Sequence, residues 1–339
     1  MKYIFGPVPS RRLGLSLGVD LVPFKVCSFD CVYCECGSTT VKTLERREYV
    51  PAEEVLAELK RVLDGGFFAD YITFSGFGEP TLNVRFGFVA SEIKKLTSTR
   101  LALLTNASLF RDREVRREAA LCDYILPSLD SAVEETFRRI NKPCEGVRVE
   151  DIVEGLKAFR TEYPQRKMAV EVLFVKGYNT SDEELSALKD ALEYICPDEI
   201  HLNTVVRPPA EAVFPVDRAF LEKARAFLGE KAVIVGEAHI DKKTEMPGLE
   251  EAILDTIKRR PLTASDIAEL LKEDIRVVDK CIARLKAEGK VREVLFGNNI
   301  FYAVREEGDE KTVDSADADV SPCGFRSGEK KGDNGNSAC

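Results

Sequence analysis

Short runs of β-branched and aromatic residues alternate with amphipathic helical segments from about residue 14 to residue 235 of this 339-residue chain. A regular alternation of this kind is typical of a parallel sheet covered by helices. The predicted strands are Leu15–Val22, Tyr71–Ser75, Arg100–Thr105, Tyr124–Leu129, Met168–Lys176 and Glu199–Val205. Six strand–helix units are fewer than the eight of a closed barrel, which needs about 250 residues. The pattern therefore predicts an α/β fold, an incomplete (β/α)6 barrel that is open at its side.

A different pattern follows a lapse in periodicity near residues 241–247. The predicted elements there are helices Gly248–Arg259, Ala264–Leu271 and Asp274–Ala287 and the hairpin strands Val291–Leu295 and Ile300–Val304. This order predicts a small winged-helix-like domain. Beyond Arg305 the chain has few large apolar residues, which is typical of disorder. We therefore expect a barrel domain over residues 1–245, the small domain over 246–305 and a disordered tail over 306–339.

Composition narrows the class of protein. The net charge of −9 argues against non-specific coating of nucleic acid, because such affinity comes mainly from neutralising phosphates. No run approaches the roughly 18 apolar residues that span a bilayer, and the first residues lack a secretion signal. We therefore expect a cytoplasmic protein with no membrane association. In that setting its ten cysteines indicate metal binding, catalysis or burial rather than disulfides.

Three of these cysteines, Cys27, Cys31 and Cys34, lie within eight residues after the first predicted strand. Thiolates so closely spaced can hold one face of an iron–sulfur cubane and leave its fourth iron without a protein ligand. The alternative is a structural zinc site or an electron-transfer cluster, which needs a fourth ligand. Cys36 is the candidate, but so short a loop has difficulty placing it at another corner. The spacing favours a cluster with one open iron.

Polar and glycine-rich segments follow the next strands. Gly76 and Gly78 permit close backbone approach at the end of the second strand, and Glu79 places an acceptor there for a cationic ammonium group. Asn106 and Asp130 follow later strands, as ligand contacts or as caps of the next segment. Because the carboxyl ends of parallel strands share one edge of a sheet, these residues are expected near the cysteines.

Two motifs together carry a resemblance to a known family. Cys-x3-Cys-x-aromatic-Cys, with Tyr33 in the aromatic position, resembles the signature of the radical S-adenosyl-L-methionine (SAM) superfamily. The segment from Phe74 to Pro80 resembles that family's Gly-Gly-Glu-Pro motif, and the resemblance covers roughly residues 6–235. It implies a [4Fe–4S] cluster held by the three cysteines and SAM bound at the open iron. The residues it implies as SAM contacts are Tyr33, Gly76, Gly78, Glu79, Asn106, Ser128 and Asp130.

The resemblance also implies a reaction. An external electron donor such as ferredoxin or flavodoxin supplies one electron, SAM is cleaved to methionine and a 5′-deoxyadenosyl radical, and the radical abstracts a substrate hydrogen. No catalytic residue beyond the cofactor contacts is identified. The enzyme class is therefore an iron–sulfur oxidoreductase or transferase whose substrate the sequence leaves open.

Two further segments, residues 6–14 and 202–209, resemble a less characterised branch related to the enzyme that makes the tRNA base 4-demethylwyosine. Within them, Arg11, Arg12 and Arg207 either bind an anionic substrate or form ion pairs. No cysteine precedes Cys27, so the additional amino-terminal cluster of the wyosine enzyme is not evident.

The predicted helix Asp274–Ala287 carries Arg276, Lys280 and Arg284 at helical spacing. Such a face suits docking of an RNA or protein substrate, or packing on the barrel. The rival hypothesis is a redox-sensing regulator that binds DNA through this helix. The remaining cysteines within the predicted domains are expected to be buried thiols, with a second cluster as the alternative.

Overall fold

The computed structural model describes residues 2–66, 68–236, 249–258, 260–271 and 273–305. Its strands are β1 (Ile4–Ser10), β2 (Gly14–Val19), β3 (Val26–Cys27), β4 (Val41–Lys42), β5 (Tyr71–Phe74), β6 (Arg100–Thr105), β7 (Tyr124–Pro127), β8 (Lys167–Phe174), β9 (Glu199–Thr204), β10 (Ala232–Ile234), β11 (Val291–Phe296) and β12 (Asn299–Val304).

The α-helices are α1 (Ala52–Asp64), α2 (Phe86–Leu96), α3 (Arg113–Ala119), α4 (Glu134–Ile140), α5 (Val149–Glu162), α6 (Asp182–Ile195), α7 (Arg218–Leu228), α8 (Leu249–Ile257), α9 (Ala264–Leu271) and α10 (Ile275–Ala287), and Pro80–Leu82 forms a 3-10 helix. Within the described ranges, no helix is both long enough and apolar enough to cross a membrane.

One eight-stranded sheet organises the larger part of the chain, in the order β1-β2-β5-β6-β7-β8-β9-β10. Every neighbouring pair from β2 to β10 is parallel, as the alternation of strands and helices predicts. The edge strands β1 and β10 do not pair with each other within the described part of the chain, so the sheet is a laterally open partial barrel. The predicted fold class is confirmed.

Two strands that the sequence analysis did not identify lie at the edges of this sheet. β1 pairs antiparallel with β2 and has a register irregularity between Phe5 and Val8. Pro7 interrupts its pattern, and proline is tolerated at a sheet edge because no neighbour needs its missing N–H group. β10 contributes only three residues beside β9. Both strands escape pattern analysis because one contains proline and the other is very short.

Alternation along the strands separates a helix-covered face from a lumen face. On β8, Val170 and Val172 pack into the main hydrophobic core, and on β9, Ile200 and Leu202 do the same. Burying each such side chain contributes about 1.5–3 kcal/mol to folding. The residues between them therefore point into the lumen, so β8 and β9 present polar side chains to the inside of the barrel.

Residues 249–305 form three helices and a hairpin around their own hydrophobic cluster. Val8 of β1 packs against this cluster, and Phe296 of the hairpin packs against barrel residues that include Val32 and Val205. The element order agrees with the predicted one, and the winged-helix assignment stays a prediction. The boundary expected at 245/246 and the tail expected at 306–339 lie outside the described residues.

Candidate functional site

The cysteine-rich loop is anchored on both sides. β3, which ends at Cys27, pairs with β4. Farther along, Asp30 N donates to Asn141 O at 3.1 Å and Val32 N donates to Ile140 O at 3.0 Å, at the end of α4. A tight turn then brings Cys34 N to 3.1 Å from Cys31 O. These bonds hold the loop at the carboxyl edge of the sheet.

Each of the three predicted cluster ligands faces one nitrogen donor from a different segment. Asn106 Nδ2 lies 3.6 Å from Cys27 Sγ, Asn141 Nδ2 lies 3.5 Å from Cys31 Sγ, and Lys25 Nζ lies 3.0 Å from Cys34 Sγ. All three thiols are unoxidised and partly exposed. Donors of this kind stabilise thiolate ligands and set the potential of iron–sulfur clusters. The donor set therefore fits a [4Fe–4S] cluster held on three corners.

The protonation of these thiols reflects their surroundings. A hydrogen bond with Cys36 and the charge of Lys25 lower the pKa of Cys34 to about 6. Burial raises the pKa of Cys27 to about 12 and raises that of Cys31 well above its ordinary value. Cys34 therefore favours the thiolate form near neutral pH, whereas Cys27 and Cys31 favour the thiol until iron coordination deprotonates them.

No group of three or more His, Cys, Asp or Glu side chains among the described residues is arranged around a single metal ion. A cubane differs from a single ion because each thiolate binds a different iron. The three cysteines therefore need not converge on one point to hold the cluster.

The fourth nearby thiol is Cys36. Its Sγ donates to Gly76 O at 3.9 Å, and it shares a hydrogen bond with Cys34, which raises its own pKa well above the ordinary value. Cys36 thus acts as a donor to a neighbouring ligand and to the glycine-rich loop.

We predict that Cys36→Ala leaves the iron and sulfide content of the reconstituted protein unchanged, since the thiol is expected to be a hydrogen-bond donor rather than a ligand. Anaerobic reconstitution followed by iron, sulfide and absorption measurements checks this. The matched control is Cys196→Ala, because Cys196 is exposed; the prediction that it is a buried thiol was wrong, whereas it is confirmed for Cys122 and Cys144. Loss of the cluster in Cys36→Ala alone would favour the four-ligand alternative.

The glycines of the 76–79 segment are required by packing. A Cβ on Gly76, whose φ is +113°, would lie 1.8 Å from Asp20 Oδ1, and a Cβ on Gly78 would lie 1.8 Å from Val26 O. The segment is therefore pressed against the end of β2 and the start of the cysteine loop. Close approach inside the protein accounts for both glycines, and contact with SAM stays a prediction.

Glu79 joins this segment to the end of β6. Its side chain is only 2% exposed, and its carboxylate accepts hydrogen bonds from Thr81 N at 3.1 Å, Thr105 Oγ1 at 2.7 Å and Asn106 N at 2.7 Å. Burial raises the pKa of this carboxyl, while the hydrogen bonds oppose the rise. Glu79 therefore fixes the position of Asn106, which in turn contacts Cys27.

Asp130 is equally enclosed, at 2% exposed. It accepts from Tyr33 Oη at 2.5 Å, from Asn141 Nδ2 at 2.6 Å and from Leu173 N at 2.9 Å, and burial raises its pKa to about 6. It does not cap the following helix, because the N-cap of α4 is Val133. Asp130 and Tyr33 thus form a buried network that reaches Cys31 through Asn141.

The other predicted contacts are also at this edge. Asn106 Nδ2 donates to Ser28 Oγ at 2.8 Å, and its Oδ1 accepts from Ser108 N at 3.0 Å, so it caps the next turn as well as contacting the cysteine loop. Ser128 directly follows β7 and forms a backbone bridge with Glu171 of β8. The predicted residues are thus brought together along β5, β6 and β7.

Sequence reasoning missed Lys25 and Asn141. Lys25 is 2% exposed despite its charge, and Asn141 is the C-cap of α4. Lys25 lies two residues before Cys27, which is a signal that could have been used. No local pattern marks Asn141 as a neighbour of Cys31.

Comparison with known proteins decides the family. A sequence model of the radical SAM superfamily matches residues 21–191, which include the cysteine loop, the glycine-rich segment and Asp130. The chain belongs to the radical SAM superfamily. Its cofactors are accordingly a [4Fe–4S] cluster and SAM.

Two relatives match most of this chain. The chain is 31% identical to the UPF0026 protein of Methanocaldococcus jannaschii over 95% of its own length and 99% of that protein. It is 34% identical to the GTPase Obg of Brachyspira hyodysenteriae over 89% of its own length, but it spans only 45% of that protein.

Among solved structures, a radical SAM methyltransferase from Sphaerobacter thermophilus matches with a TM-score of 0.52 and 18% identity, over 65% of this chain and 66% of that one. At this level of identity, the similarity shows a shared fold.

Proposed function

We propose that this radical SAM protein is an enzyme that cleaves SAM reductively at a cluster bound by Cys27, Cys31 and Cys34. When bound, the cluster would hold SAM at its open iron and, after reduction by an external donor such as ferredoxin or flavodoxin, supply a 5′-deoxyadenosyl radical for hydrogen abstraction from the substrate. The observation that carries the proposal is that each of the three thiols of one short loop faces its own nitrogen donor, beside the segment that ends at Glu79.

We propose two roles for the side chains around the cysteine loop: some stabilise the bound cluster, and others shape the SAM site. Lys25 and Asn141 donate towards thiol sulfurs, which stabilises bound thiolates. Glu79 holds the backbone of Asn106, and burial of both Glu79 and Asp130 keeps water away from the site. We propose that the backbone of Gly76 and Gly78, Asn106 and Ser128 contact SAM directly.

We further propose that the enzyme acts in the cytoplasm and that residues 249–305 help to dock an RNA or protein substrate. Two of the three basic side chains predicted on one face of α10 form ion pairs, which weighs against sequence-specific DNA binding. Arg276 pairs with Asp274 at 2.6 Å, and Arg284 pairs with Glu250. Asp274 also caps the start of α10, where a recognition helix would meet bases.

We predict that anaerobically reconstituted protein, reduced with dithionite, converts SAM slowly into 5′-deoxyadenosine and methionine without added substrate. The physical reason is that the predicted cluster ligands and the predicted SAM contacts all belong to this chain. Chromatography of quenched samples measures both products, with unreduced protein as the control. If well-reconstituted protein forms neither product, yet binds a DNA duplex only when the cluster is present, the enzyme hypothesis is contradicted and the DNA-binding sensor is favoured.

A further inference from the structure

A group of arginines lies around β8, β9 and the segment that follows β9. Arg11 is in the turn between β1 and β2 and reaches across the barrel, where its Nη1 donates to Asn203 Oδ1 of β9 at 3.1 Å. Among the described residues no carboxylate lies within ion-pair distance of Arg11. Its hydrogen-bond partner is therefore a neutral amide.

The partners of Arg11 are held in place by a charged frame. Asn203 Nδ2 donates to Glu171 Oε1 of β8 at 2.9 Å, and Arg12 forms an ion pair with the same carboxylate. Asn203 and Glu171 both lie on the lumen face, because Leu202 and Val172 beside them pack into the helix-side core. Arg12 thus forms an ion pair within this frame, whereas Arg11 bonds to it through the neutral amide of Asn203.

A second arginine approaches from just beyond β9. Arg207 donates to Glu35 Oε2 at 3.3 Å, and Arg260 of the small domain donates to the other oxygen of Glu35 at 3.3 Å. One carboxylate is thus shared by two guanidinium groups. Arg207 Nε is fully buried and has no hydrogen-bond partner among the described residues, and a buried, charged N–H group without a partner is costly.

The charged groups around Arg11 include two arginines and two glutamates. Burial first, and then the charges of Arg207 and Arg12, lower the pKa of Arg11 to about 10. Glu35 and Glu171 oppose this effect, and Asp266 acts similarly on Arg207. Within the described part of the chain, this group contains four arginines and three carboxylates, so an added anion would reduce its net positive charge. They are Arg11, Arg12, Arg207 and Arg260, with Glu35, Glu171 and Asp266.

We propose that Arg11 and Arg207 form an oxyanion-binding site that holds a phosphoryl or carboxylate group of the substrate. Guanidinium groups suit this task because their planar fork donates two parallel hydrogen bonds to such a group. These two arginines are not among the predicted SAM contacts: Arg11 bonds to Asn203 of β9, and Arg207 bonds to Glu35 of the cysteine loop. The inference rests on the proposed function in calling the ligand a substrate.

The test titrates inorganic phosphate and acetate, separately, into the anaerobically reconstituted full chain with SAM at saturation. Isothermal titration measures binding, and sodium chloride at matched ionic strength corrects for screening. We expect saturable binding of at least one probe, and phosphate or acetate then identifies the class of group. Arg11→Gln and Arg207→Gln should each weaken that binding about tenfold or more, the expected effect of losing a charge-assisted hydrogen bond.

Arg218→Gln is the matched control, because Arg218 is 68% exposed and pairs with Glu222 within its own helix. Iron content reports whether each variant keeps its cluster, and Arg11→Gln does not touch the cysteine loop. Saturable binding of neither probe, unchanged binding in Arg11→Gln, or an equal loss in Arg218→Gln would overturn the site. Binding that appears only without SAM would also overturn it, since the arginines would then hold SAM itself.

Product formation in the same wild-type preparation separates the two proposals. Protein that cleaves SAM but binds no oxyanion contradicts this inference alone. Protein that binds the oxyanion but never cleaves SAM contradicts the proposed reaction alone.

Discussion

Alanine at Cys27, Cys31 or Cys34 is expected to abolish the [4Fe–4S] cluster. With only three ligands from this short loop, each removal leaves two, and the nitrogen donors at 3.0–3.6 Å contact sulfur rather than iron. Iron and sulfide analysis, visible absorption and electron paramagnetic resonance of the reduced protein measure the loss.

The control for this series is Cys122→Ala, which removes a fully buried thiol from the hydrophobic core instead of from the loop. It should lower the free energy of unfolding without changing iron content, because deletion of a buried group leaves a small cavity. A triple variant at Cys27, Cys31 and Cys34 with unchanged iron content would show that the cluster ligands lie elsewhere.

Glu79→Ala is expected to weaken SAM binding about ten- to hundredfold while the cluster is retained. The carboxylate fixes Asn106 and the segment from Gly76, and charge-assisted hydrogen bonds of this kind contribute roughly 1.5–3 kcal/mol. Truncation leaves the N–H groups of Thr81 and Asn106 without their acceptor, so the SAM-binding edge loses its shape. Equilibrium binding across an anaerobic SAM titration measures the change.

Glu193→Ala, a substitution of an exposed glutamate on α6, is the matched control and should bind SAM as wild type does. Glu79→Gln keeps the shape of the side chain and one acceptor oxygen, so we expect an intermediate affinity. Unchanged SAM affinity in Glu79→Ala, at unchanged iron content, would contradict the assignment of Glu79 to the SAM site.

Local sequence patterns were sufficient to predict the parallel sheet and the cysteine loop. Hydrophobic periodicity acts over a few residues, so it located strands such as Arg100–Thr105, whose bounds agree with the structure. The spacing of Cys27, Cys31 and Cys34 and the glycines of the next loop are equally local. β1 was missed because its prolines mask the alternation that marks a strand.

The partners of these local features came only from the tertiary structure. Asn141 reaches Cys31 across 110 positions in the chain, and Arg11 reaches Asn203 across 192. Such pairs form because parallel strands bring their carboxyl ends to one edge and because the turn after β1 crosses the open side of the barrel. No periodic pattern within one segment encodes a contact at that separation. The chain's own spacing therefore predicts where iron and SAM chemistry resides, whereas packing decides which side chains contact the thiols and which arginines lie together.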